Sequence, residues 1–221
     1  MFSSKPLRLS VVIAALDLSC GFARAAAPDA LVPLAIKDVT INDGFWSPKI
    51  SLWSSVTIND TFDKLDQHGG FTNFDRVAQG LSGNHSGEPW WDGLIYETIR
   101  AAGDFLAANP DPVLQQRVDG YIARIKAAAA HDPDGYVNTA QQLENVGFKW
   151  KNPPTPGDTH DDDYPHTVYN AGCLVEAAIH YYHGTGDTEL LKVATRMANY
   201  MCGIMGPPPK QNIIPGHAVS E

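Results

Sequence analysis

Apolar residues recur along most of this chain at helical spacing. Between residues 92 and 108, Ile95, Ile99, Ala102 and Leu106 share one face, the three-to-four-residue rhythm of an amphipathic helix. The next segment repeats it with Leu114, Val118, Tyr121, Ile122, Ile125 and Ala129. Asp111 offers a side-chain acceptor to its first turn and Pro112 a preset φ. The turn at residues 132–135 stops it. After His166 the stripe widens. Val168, Ala171, Val175, Ile179 and Tyr182 form one row, with Leu174, Ala177 and Tyr181 beside it. A helix this apolar is expected to be buried on nearly all sides. Gly184 and Gly186 end it, and Asp187 caps a last helix carrying Leu190, Ala194, Met197, Met201 and Ile204. Gly206 and Pro207 to Pro209 close that one.

The N-terminal part reads differently. Residues 25–38 form an extended lead-in, and residues 39–46 alternate apolar and polar like a short strand or extended arm, ended by Pro48. Residues 50–65 predict a first helix. Residues 67–89 and 138–165 read as long loops, and loops of that length are often functional. Helices thus come in pairs, with short turns at one end and long loops at the other. That pattern predicts an all-α fold of the (α/α)-barrel type, a toroid of helical hairpins. A helical solenoid would alternate similarly, but there is no strict repeat and the long loops are unequal.

Composition narrows the class. At 221 residues the chain suits one ordinary domain. Its net charge of −9 comes with no basic stripe, which argues against nucleic acid as a partner. Residues 1–27 resemble an export signal. Lys5 and Arg8 precede an apolar run, and small residues from Ala23 to Ala27 offer a cleavage site. The run is too short to span a bilayer, so the expectation is a secreted or periplasmic protein with no membrane attachment after cleavage. The domain reading is a signal peptide at 1–27, an extended arm at 28–50 and a helical domain at 51–221. Cys173 and Cys202 lie within predicted helices and match no zinc template. They read as two buried thiols, with a disulfide as the alternative in an oxidising compartment.

Candidate chemistry gathers in and beside the loops. Flat aromatic faces suit sugar C–H faces as well as cores. Trp46 reads as packing. Trp90 and Trp91, at a loop-to-helix junction beside Asp92, fit either role equally. Asp158, Asp161, Asp162 and Asp163 lack EF-hand spacing and read as a solvated acidic loop. Glycosidases generally need two carboxylates, and no spacing here selects a pair; Glu97 and Glu176 lie inside helices. His166 opens a helix and His217 follows a Pro-Gly turn. Read alone, each is equally a helix-start or loop histidine.

Several motifs change that balance. PDPVLQQRVDGYIARI at residues 110–125, DGYVNT at 134–139, HTVYNAG at 166–172, the helical run after it, and PGH at 215–217 occur in order. Together they resemble the β-L-arabinofuranosidase family, glycoside hydrolase family 127, across roughly residues 39–221. The resemblance implies the N-terminal part, roughly the first half, of an (α/α)6-barrel catalytic domain. It implies retaining hydrolysis of β-L-arabinofuranosides from plant-type glycans. In such enzymes a zinc-bound cysteine thiolate is the nucleophile and a glutamate the general acid/base. Those groups are expected beyond Glu221, so no catalytic residue and no metal ligand is expected within this chain, and the remainder of the barrel is the expected partner. The resemblance places His166 and His217 at the sugar subsite and Asp92 near it; Trp91, at the loop-to-helix junction beside Asp92, is the further candidate for substrate binding. Cys173 stands where many members have His, residues 88–93 read EPWWDG, and residues 218–221 replace the usual acidic residues. The competing readings are a non-catalytic helical carbohydrate-binding module, or another (α/α)-barrel enzyme such as an unsaturated-uronyl hydrolase or polysaccharide lyase.

Overall fold

A computed structural model describes residues 31–144, 166–210 and 219. The chain divides into two compact units, Met1–Leu34 and Ala35–Glu221. Of the first, only residues 31–34 are described, and they carry no regular structure. The signal-peptide reading therefore lies outside the described residues.

The second unit is helical. After a 3-10 turn at Ile36–Asp38 come α1 (Trp46–Leu52), a π turn (Trp53–Thr57), α2 (Ile58–Gln67), α3 (Gly70–Ala78), α4 (Trp91–Ala108), α5 (Pro112–His131), α6 (Thr139–Leu143), α7 (Thr167–Thr185) and α8 (Glu189–Ile204). No β-strand occurs among the described residues.

The strand or arm expected up to Trp46, and the arm boundary at residue 50, are corrected. The helix begins at Trp46, because Asp43 Oδ1 accepts the backbone N–H groups of Phe45 and Trp46. Ser47 Oγ accepts from Asp43 N and donates to the Ile41 carbonyl. Pro48 sits in the first turn, where a missing N–H costs nothing. One wider turn follows because Ser54 and Ser55 hydroxyls bond back to the Ser51 carbonyl.

The loop expected over residues 67–89 contains α3. Gly69, at φ +86°, breaks α2 from α3. Phe71, Phe74 and Val77 then face inward at helical spacing and are fully or almost fully buried. The second expected loop contains α6, which Asn138 starts by accepting from Gln141 N.

The helices after residue 90 match the pattern closely. Asp111 accepts from Val113 N and Leu114 N to cap α5, and its predicted stripe is buried. Asp187 accepts from Glu189 N at the start of α8. The stripe on α7 needs correction in its second half. Ile179 and Tyr182 are 40% and 41% exposed, whereas Leu174, Ala177, Ala178 and Tyr181 are buried. Cys202 is also corrected: it is exposed on α8, while Cys173 is buried, and the two are unbridged.

Packing follows two layers. α4 and α7 run side by side and parallel, with Gly93 of α4 beside Tyr169 and Asn170, and Gly103 beside Tyr181. α5 and α8, the second helix of each hairpin, pack against one another through Lys126–Glu189 and through Arg196, which donates to the carbonyls of Asp132 and Pro133. Tyr181 reaches from α7 to Asp119 of α5 at 2.6 Å. The N-terminal helices join α5 through an aromatic stack. Tyr121 lies 3.8 Å from Phe71 and 5.1 Å from Phe62 between ring centroids. Arg124 closes that contact with a two-point pair to Asp75 and a third bond to Asp66.

Candidate functional site

The parallel pairing of α4 and α7 brings their N-terminal ends to one rim. His166 precedes α7 with φ 48° and ψ 35°, the left-handed region. A non-glycine residue there is uncommon and depends on its surroundings. Its ring meets Trp90 edge-on at 5.0 Å and Tyr169 at 6.3 Å. Trp90 is 37% exposed and His166 half-buried. A partly open indole edge beside an imidazole presents an apolar face together with a group that can both donate and accept.

Behind this pair lies a buried polar layer. Asp92 is 1% exposed. Its Oδ2 accepts from Thr139 N at 2.7 Å and its Oδ1 from Thr139 Oγ1 at 2.6 Å. Burial pushes its carboxyl up to about 6, against the pull of these two bonds. The Thr139 hydroxyl also lies 3.2 Å from His85 Nε2. With its hydrogen committed to Asp92, it accepts from the imidazole. Burial holds His85 below the usual histidine range, opposed by the Gly87 carbonyl and Glu144. Asn138 Nδ2 donates to Thr167 Oγ1 at 2.8 Å, which ties α6 to the first turn of α7. Asn170 bridges α7 to α4, accepting from Gly93 N and donating to the Pro89 carbonyl.

The expected site residues therefore separate. His166 stands at the rim. Asp92 lies beneath it, buried, with both oxygens accepting from Thr139. Trp91 packs over Gly87, where any Cβ would sit 2.1 Å from the indole, and the ring that meets His166 belongs to Trp90. His217 lies outside the described residues, as do Trp150 and the acidic loop. Residue-by-residue reading missed Thr139, His85 and Asn170. Asn170 left one trace, an amide within an otherwise apolar helical face.

Lower on the α4–α7 seam, Arg100 joins Glu97 at 3.4 Å and Glu176 at 2.8 Å, so both glutamates act as ion-pair partners here. His180 Nδ1 lies 2.6 Å from Asp104. Burial pushes the Cys173 thiol up to about 12. Among the described residues no group of three His, Cys, Asp or Glu side chains could hold a metal ion. Cys173 favours its neutral thiol and Cys202 stands exposed on α8, so the described residues do not fit a zinc–thiolate centre.

Paired helices with an aromatic–imidazole rim define a helical-hairpin domain. The chain belongs to the β-L-arabinofuranosidase, GH127 catalytic domain family, whose sequence model matches residues 38–221. It is 31% identical over 133 residues to a non-reducing end β-L-arabinofuranosidase of Bifidobacterium longum subsp. longum. That alignment covers 60% of this chain and 19% of the relative, so the chain spans about a fifth of that protein's length. The solved GH127 β-arabinofuranosidase BT3674 superposes with TM-score 0.73 at 27% identity, over 85% of this chain and 29% of that one. Ara127N-Se, a GH127 β-L-arabinofuranosidase from Geobacillus stearothermophilus T6, gives TM-score 0.71 at 25% identity, over 82% and 28%. The described helices are thus part of an all-α helical barrel.

Proposed function

We propose that this chain is the sugar-recognition part of an exported, retaining β-L-arabinofuranosidase. The observation that carries the reading is the rim where His166, held in the left-handed region, meets Trp90. The family match supports it, because the matched domain is that of β-L-arabinofuranosidases. Val219 also supports it. This residue, two past His217, packs on Gly172 of α7, where a Cβ would sit 2.7 Å from the Val219 carbonyl oxygen. His166 and His217 recognise sugar hydroxyls in this reading, Trp90 offers an apolar face, and Asp92 holds the floor. The nucleophile, zinc and general acid/base would come from polypeptide beyond Glu221, and the chain alone would be inactive.

In the product of the complete reading frame, His166→Ala and His217→Ala should each lose about 2–4 kcal/mol of transition-state stabilisation, the scale for leaving polar groups unpaired around a specific ligand. Steady-state kinetics on an aryl β-L-arabinofuranoside measure this, and native efficiency in both variants would refute the reading. Export rests on residues 1–27. Mass spectrometry of the secreted or periplasmic protein should find an N-terminus between Arg24 and Pro28; Met1 retained in that fraction would sink it.

A further inference from the structure

Asn170 sits in the second turn of α7 at 1% exposure. Its Oδ1 accepts from Gly93 N at 3.0 Å and its Nδ2 donates to the Pro89 carbonyl at 3.0 Å. Those two partners bracket Trp90 in sequence, one residue before it and three after. The backbone N–H of Asn170 donates to the His166 carbonyl at 2.8 Å. One residue therefore holds the backbone that carries Trp90 and the backbone that carries His166. The approach leaves no slack: a Cβ on Gly93 would sit 2.9 Å from Asn170 Oδ1.

The chemistry requires an amide. One end faces an N–H and must accept, while the other faces a carbonyl and must donate. A carboxylate would keep the first bond and set a second negative oxygen against the Pro89 carbonyl. A buried group that loses one partner leaves the other unsatisfied as well.

We propose that Asn170 is the positioning residue for the Trp90–His166 pair and sets the gap in which a pentofuranoside is held. This rests on reading the rim as the sugar subsite. Asn170 touches no sugar. It acts through the spacing of two groups that do, and a misplacement of about 1 Å in such a pair can cost about a hundredfold.

The test uses Asn170→Asp, His166→Ala and the double variant, in the product of the complete reading frame, with an aryl β-L-arabinofuranoside as substrate. A parallel readout is the imidazole NMR signal of His166, assigned by its loss in the alanine variant. Asn170→Asp should melt cooperatively, shift the His166 signal and lower kcat/KM by about tenfold, chiefly through KM. The loss should shrink as pH falls, because a protonated carboxyl can again donate to Pro89. Added to His166→Ala, the substitution should change kcat/KM by clearly less than it does alone, since one of the two positioned groups is already gone and Trp90 remains. Asn170→Ser, which keeps one bond and adds no charge, is scored the same way and serves if the carboxylate blocks folding. Native kinetics with an unmoved His166 signal would overturn the proposal, as would losses that multiply with that of His166→Ala. If His166→Ala is kinetically silent while Asn170→Asp still moves the His166 signal, the positioning role stands and the sugar reading falls.

Discussion

At the scale of single residues, Asp92 shows how burial and hydrogen bonding oppose one another. Two donors from Thr139 favour its charged form, and removal from water disfavours it more strongly, raising the carboxyl from 3.8 to about 6. The folded protein therefore holds this proton more tightly than the unfolded chain does. The contribution is fully present below about pH 4 and is lost as pH rises through about 6, an amount on the order of 3 kcal/mol. An Asn at this position can accept from Thr139 N and donate to Thr139 Oγ1, which preserves the contact without the titration. Relative to Asp92→Asn, the wild-type melting temperature should fall by about 6 °C or more between pH 4 and 7. Parallel melting curves for the two proteins across that range would overturn the assignment.

At the scale of elements, the α4–α7 seam depends on two glycines. A Cβ on Gly103 would lie 2.8 Å from the Tyr181 backbone, and one on Gly184 would lie 2.2 Å from the Gly103 carbonyl oxygen. Backbone cannot swing aside as a side-chain tip can, so overpacking outweighs the gain of about 1 kcal/mol that alanine brings to a helix interior. Gly103→Ala should destabilise by about 2 kcal/mol in denaturant unfolding. Gly120, exposed on α5, meets nothing within 4 Å, so Gly120→Ala should stabilise by about 0.5–1 kcal/mol. Equal shifts in one direction would show that helix propensity, and not close approach, governs the seam. The shorter elements depend equally on local detail. α3 exists because Gly69 turns the chain and three apolar residues are then buried, Phe71 against Tyr121 of α5 and Phe74 against Tyr96 of α4.

At the scale of the whole second unit, apolar surface remains open on two sides of the first helical layer. A groove of about 400 Å³ runs between α2 and α4, lined by Trp53, Ile58, Leu65, Leu94, Ala101 and Phe105. Ile179 and Tyr182 add a second open flank on α7. Surfaces of this kind favour association. The purified 221-residue chain should bind a hydrophobic dye and elute above its monomer mass of 24.0 kDa. Size-exclusion chromatography with light scattering checks this, and a monodisperse monomer that leaves the dye dark would refute it. No described helix is long and apolar enough to cross a membrane.

The long periodic segments determined α4, α5, α7 and α8 on their own, because caps and stripes act within a few residues of themselves. Asp111 and Asp187 do in space what their spacing predicts, and the all-α class follows from those four helices. Local pattern also brought His166 into consideration. Tertiary structure decided the rest. Which flank of α7 is buried depends on what lies beside it, so Tyr181 goes inward and Tyr182 outward although both lie on apolar rows. Trp90 and Trp91 are adjacent and chemically identical, and only the turn at Gly87 and the approach of α7 decide which one meets His166. Thr139 is 47 residues from Asp92 and 54 from His85, and Asn170 is 77 residues from Gly93. Their hydrogen bonds form only when α4, α6 and α7 pack, because side-chain pairing across such separations is set by the arrangement of elements and leaves no periodic mark on the chain.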